Sequence, residues 1–197
     1  MKLLYNADFL KFAITLFSVL NPLGAIPVFA TLTDGMDDSA KNRLATTSAI
    51  TVFFALLVSA VLGNYILNFF GIQIASFRLG GGILIGSMAF SMLQAKKSAT
   101  KLTTKELDES HDLKEIGIVP LAIPMLAGPG TISTAMLASQ KFHTIFDWIG
   151  AVVSMLIVSI LVLIILRSSS KLSQKLGKVG INVMTRIMGL ILMAMAV

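Results

Sequence analysis

Two short stretches hold the residues best suited to handling a small polar ligand. The first, SVLNPLGAIPVFATLT at residues 18–33, contains Asn21, Pro22 and Gly24. The second, around AGPGTIS at 127–133, contains Gly128, Pro129, Gly130, Thr131 and Ser133, with Thr134 directly after. Both lie in otherwise apolar chain, where an interior proline removes a backbone hydrogen bond and crowds the preceding turn, at a cost of about 3 kcal/mol or more. A half-helix that restarts after such a break opens with free N–H groups and a partial positive charge. That end suits an anion, carboxylates included. The half-helix before the break ends in free carbonyls that suit an ammonium group or a cation. An amino-acid zwitterion presents both charges close together. The glycines let a small ligand approach the backbone, and Thr131, Ser133 and Thr134 add hydroxyls. The plainer alternative is that proline and glycine only kink the helices for packing.

The surrounding chain must place these breaks inside a membrane. Of 197 residues, 55% are hydrophobic and 13% charged, with a mean hydropathy of +0.85. Soluble domains carry about one quarter charged residues. Six apolar runs fall at 9–32, 45–70, 72–95, 116–139, 145–166 and 179–197, each near the ~20 residues needed to cross a bilayer. They lack strand-like alternation, so the expected fold is all-α, with six transmembrane helices in one domain. Helices one and four are the broken ones. All five prolines lie in those two runs. At 1.5 Å per residue, Asn21 falls about 18 Å into the first span and Gly128 at a similar depth in the fourth, near the bilayer midplane. The N-terminal segment has no small-residue cleavage site before Asn21 and reads as a retained first helix.

The net charge of +6 resides mainly in the loops. It points to the anionic lipid face and not to nucleic acid. Lys41, Arg43, five lysines of the 96–115 connection, four basic residues of 167–178 and Arg186 share one side, twelve in all; Lys2, Lys11, Arg78 and Lys141 are on the other. The positive-inside rule puts the twelve, and the 96–115 loop, in the cytoplasm and both termini outside. The final span stops at Val197 without a polar tail, which suggests that a short tail is missing.

Several chemistries find no support. Cysteine is absent, which removes thiolate metal sites, cysteine nucleophiles and disulfides. No Asp or Glu lies in the central part of a span, as a carboxylate proton relay would require. No G-x-x-x-x-G-K, H-E-x-x-H or paired intramembrane aspartate occurs. His111 and His143 read as solvated loop residues, and Asp34, Asp37 and Asp38 as a loop and helix-start cluster. No enzyme activity, metal or cofactor is expected. Sodium or protons stay open as coupling ions.

The halves 1–95 and 116–197 resemble each other across the 96–115 connection. GIQIASFRLGGGIL from Gly71 matches GINVMTRIMGLIL from Gly180, with Arg78 on Arg186 and Gly81 on Gly189. NPLG at 21–24 falls on GPGT at 128–131, proline on proline. Each half holds three spans, an odd number, so the repeats are inverted, a pattern of secondary transporters. Arg78 and Arg186 then sit near opposite faces, as a gate or vestibule for a carboxylate or as arginines snorkelling to headgroups. The glycines at 80–82, Gly86 and Gly189 read as close-packing sites, and the methionines as filler.

The stretches NPLGAIPVF (21–29), FRLGGGILI (77–85), VPLAIPMLAGPGTIS (119–133) and GINVMTRIMGLILMAM (180–195) resemble, in this order, the MarC family of six-span bacterial and archaeal membrane proteins. The resemblance is closest to a branch holding YchE-type proteins and an archaeal carrier of small neutral amino acids. It implies an inner-membrane carrier for glycine- or alanine-like substrates. Asn21, Pro22, Gly24, Gly128, Pro129, Gly130 and Thr131 carry over as the candidate site. The expected partners are a small zwitterion and the lipid bilayer, with homo-oligomerisation open. Alternatives are an exporter or channel for another small solute, and a non-transporting scaffold docked through 96–115.

Overall fold

A computed structural model describes residues 2–33, 35–94 and 126–197. Among these, all regular structure is helical: α1 (Lys2–Leu20), α2 (Pro22–Leu32), α3 (Asp38–Phe69), α4 (Ile74–Leu93), α5 (Pro129–Ser139), α6 (Ile145–Arg167) and α7 (Ser169–Ala196). The 96–115 connection, Asp34 and the first half of the expected fourth span, with Pro120 and Pro124, lie outside the described residues. Among the described residues, four stretches are long and apolar enough to cross a membrane: Asp8–Ile26, Asp38–Phe69, Ile74–Leu93 and Ile145–Arg167. Asn182–Ala196 is a shorter apolar helix.

Local chemistry explains the boundaries. Asp37 caps α3 by accepting from the Ala40 N–H at 3.1 Å, and Asp38 sits in the positive first turn. The helix therefore starts seven residues before the expected 45. Its far end closes on Gly71 at φ +64°, with the Ile72 N–H on the Leu67 carbonyl (2.8 Å) and the Gly71 N–H on that of Asn68 (3.1 Å). This is a Schellman motif, which needs a left-handed residue after the helix. At the start of α6, the Thr144 hydroxyl accepts from the Asp147 N–H at 3.2 Å. The Asp147 carboxylate returns the contact to the Thr144 N–H at 2.7 Å, completing a capping box. Thr144→Ala is expected to lower stability by about 1 kcal/mol, seen as an earlier thermal unfolding midpoint in detergent with unchanged helix content.

The segment 167–178 departs from the expected loop. Most of it is helix, because α7 begins at Ser169 and runs on to Ala196, bending where Gly177 adopts φ 60°, ψ 178°. Leucine and lysine recur there at i, i+4, a pattern that supports a helix of one apolar and one basic face. The left-handed glycine before the last apolar helix is thus Gly177, three residues before the Gly180 that aligns with Gly71.

The core is built from α1, α2, α3, α5 and α6, with Leu16, Phe29, Leu44, Leu56, Met155 and Val162 fully enclosed. Large apolar side chains such as Leu79, Ile83, Phe69 and Ile145 point outward. On membrane-length helices, that surface is where lipid tails belong. The Ser154 hydroxyl donates to the Phe9 carbonyl at 3.2 Å and ties α6 to α1. Arg167 donates to the Thr46 hydroxyl at 3.1 Å and ties the end of α6 to α3. Helices α4 and α7 pack antiparallel through glycine. A methyl at Gly82 would lie 2.8 Å from the Ala196 carbonyl oxygen, and one at Gly189 would lie 3.0 Å from Met92 Cβ and 3.1 Å from the Ala89 oxygen. Gly80, by contrast, faces open space.

Candidate functional site

The first break falls at one residue. Asn21 separates α1 from α2 and has φ +45°, the left-handed region that Asn tolerates better than most side chains. Pro22 follows at the first helical position, where its missing N–H costs nothing to α2. It does, however, leave the carbonyl of buried Ser18 without its i+4 donor. The Gly24 N–H donates to the Asn21 backbone oxygen at 3.0 Å and to its Oδ1 at 3.3 Å. Asn21 therefore caps α2 with its own carboxamide. A side chain at Gly24 would collide with the Asn21 amide nitrogen, so the cap depends on glycine there.

The second break differs. Gly128 is the N-cap of α5, with extended backbone (φ −73°, ψ 177°), and Pro129 again takes the first helical position. Glycine brings no side chain to cap the helix, so among the described residues α5 opens without the side-chain acceptor that Asn21 gives α2. The Thr131 hydroxyl donates across the break to the Leu126 carbonyl at 3.1 Å, and that of Thr134 to the Gly130 carbonyl at 2.8 Å. Both hydroxyl protons are committed to backbone, while their lone pairs can still accept. Gly128, Gly130, Thr131 and Ser133 are buried; Pro129 is exposed.

One face of α4 touches both breaks. Gly81, Ile85, Met88 and Met92 recur at +4, +7 and +11, on one side of a helix. A methyl at Gly81 would lie 3.3 Å from Ser133 Cβ. At Gly130 it would lie 3.2 Å from Met88 Sδ, 3.3 Å from Ile85 Cγ1 and 3.6 Å from Val19 Cγ1. The Asn21 amide nitrogen donates toward Met92 Sδ at 3.7 Å. The two breaks, about a hundred residues apart in sequence, are thus joined through Val19 of α1 and the methionines of α4. Met88 and Met92 differ from the expected filler methionines in lying against the break residues. The register with Gly81 is the signal that marks them.

Arg78 and Arg186 are exposed. Because α4 and α7 run antiparallel, the two arginines sit toward opposite ends of that pair. Among the described residues no cluster of His, Cys, Asp or Glu could hold a metal ion. A hollow of about 400 Å³ opens between α3 and α6 at Val61, Asn64, Tyr65 and Trp148, and no break residue lines it.

Comparison with known proteins settles the family. The family model described as MarC family integral membrane protein matches residues 7–197. The chain belongs to the MarC family. This MarC-family chain is 40% identical over 185 residues to the membrane protein YvbG of Bacillus subtilis, covering 93% of this chain and 88% of YvbG. It is 39% identical over 189 residues to the membrane protein YhcE of Escherichia coli, with 96% and 88% covered. A membrane protein of the archaeon Methanocaldococcus jannaschii is 37% identical over 183 residues, with 93% and 89% covered. These MarC-family relatives are named only as membrane proteins. No solved structure matches the chain.

Proposed function

We propose that this MarC-family protein is a secondary carrier of small neutral amino acids, working by alternating access around the two helix breaks. The observation that carries the reading is that one face of α4 reaches both helix restarts, packing on α5 with Met88 against Gly130 and touching Asn21, ahead of α2, through Met92. In this reading the carboxylate of glycine or alanine takes the uncapped N–H groups that open α5. The ammonium group is received by carbonyls freed before the breaks, that of Ser18 among them. Thr131, Ser133 and Thr134 surround the carboxylate end. The site is small because glycine, not a larger residue, stands at Gly24, Gly128 and Gly130.

The chain then has six spans in two inverted repeats, with the twelve cytoplasmic basic residues setting its orientation in the inner membrane. Helix packing supports that architecture. The post-break helix α2 packs on α6 and α7, while the post-break helix α5 packs on α3 and α4. Each therefore rests on the last two helices of the other half, as a two-fold axis in the membrane plane would arrange. Arg78 and Arg186 stand at opposite faces as vestibule residues. The present packing, with Gly130 and Thr131 buried, corresponds to a closed state.

The test is counterflow. Purified protein in liposomes preloaded with unlabelled alanine should accumulate external labelled glycine or alanine transiently. Absence of exchange with every small neutral amino acid, in protein shown to be folded, would refute the carrier reading.

A further inference from the structure

We infer that Met88 and Met92 of α4 form the movable wall of the substrate site, with Met88 setting the upper size limit of the side chain admitted. This rests on the carrier reading above and adds to it the residues that discriminate among substrates. The two methionines are one turn apart, on the same face as Gly81 and Ile85. Met88 Sδ would be 3.2 Å from a methyl at Gly130, so the thioether lies against the first turn of α5. In the proposed pose, a ligand whose carboxylate sits on that helix end turns its side chain toward Met88. Met92 accepts the carboxamide of Asn21 through sulfur at 3.7 Å, and in doing so joins α4 to the start of α2. A methyl at Gly189 would lie 3.0 Å from Met92 Cβ, so Met92 is held against α7 at its base while its sulfur end reaches Asn21.

The chemistry of methionine fits such a wall. The side chain is unbranched, has three rotatable bonds and re-packs around irregular shapes at low cost. It can swing from Gly130 to line a widened site and swing back after release. The sulfur is a weak acceptor, so the contact with Asn21 breaks and reforms easily. A leucine or phenylalanine at the same place would fill the volume with fewer alternative shapes. Size discrimination of this kind is limited by the volume that the wall can yield, and a change of a methylene or more alters selection by about 10-fold or more.

The experiment is uptake of labelled glycine, alanine and leucine by proteoliposomes holding wild type, Met88→Ala or Met88→Leu, each first checked for a monodisperse elution profile. Wild type is expected to take up glycine and alanine and to discriminate against leucine. Met88→Ala should raise leucine uptake relative to alanine by about 10-fold or more, while Met88→Leu, which keeps the volume, should retain the wild-type order. Should Met88→Ala misfold, Met88→Val offers a smaller cut and is expected to shift the ratio in the same direction. An unchanged leucine-to-alanine ratio in a folded, transporting Met88→Ala or Met88→Val protein overturns this inference and leaves the carrier reading standing. No uptake of any of the three by folded wild type overturns both.

Discussion

Gly24→Ala should cut amino-acid uptake by about tenfold or more while leaving a folded protein, because it removes the cap without touching the core. The new methyl would occupy the place of the Asn21 amide nitrogen and lie 3.0 Å from its Cγ. Asn21 is short, so its carboxamide must rotate off the start of α2. Two contacts go together: the one from the Gly24 N–H at 3.3 Å and the one to Met92 at 3.7 Å. The loss of an N-cap costs about 0.5–2 kcal/mol, small beside the stability of a buried helix bundle. The functional cost is larger, since the first break would no longer be tied to α4. Asn21→Gly separates the two contributions. Glycine adopts φ +45° without strain and is nearly as good an N-cap, so stability should hold while the tie to Met92 is lost. Uptake by Asn21→Gly equal to wild type would show that the carboxamide serves only the helix end.

Gly130→Val should abolish uptake and lower stability. A single methyl there already lies 3.2 Å from Met88 Sδ, 3.3 Å from Ile85 Cγ1 and 3.6 Å from Val19 Cγ1. Valine adds two further carbons to a site enclosed by α1, α4 and α5. Overpacking of this kind costs about 1–3 kcal/mol. It also covers the backbone N–H groups that open α5, the proposed seat of the carboxylate. Gly130→Ala should fall between, because Met88 can turn aside from one methyl. Uptake and thermal unfolding measured on the same preparations distinguish loss of the site from loss of the fold.

Among the described residues, the two helix restarts are the most legible feature. Proline lacks an N–H wherever it stands, and the Asn-Pro and Gly-Pro pairs mark the restarts at Pro22 and Pro129 to the residue. The capping box at Thr144 and the turn at Gly71 follow from equally local chemistry. Residues 169–176 form a helix where a loop is expected, because serines and lysines lower the apolar signal while the i, i+4 spacing of leucine and lysine supports a helix. Asp37 moved the start of α3 earlier by a similar local effect. The α4 face was beyond a reading of composition. Eleven methionines look alike in an apolar sequence, and only the tertiary contacts of Gly130 and Asn21 single out Met88 and Met92. Thr131 shows the reverse: its placement beside the break was foreseen, but its bond to the Leu126 carbonyl depends on how the chain crosses Gly128.

The central claim, that the paired breaks hold the substrate, is tested most directly by alanine counterflow measured side by side on wild type and Gly130→Val in matched liposomes. The account predicts transient accumulation of labelled alanine by wild type and none by the folded variant. Equal accumulation by both, or none by wild type, would contradict it.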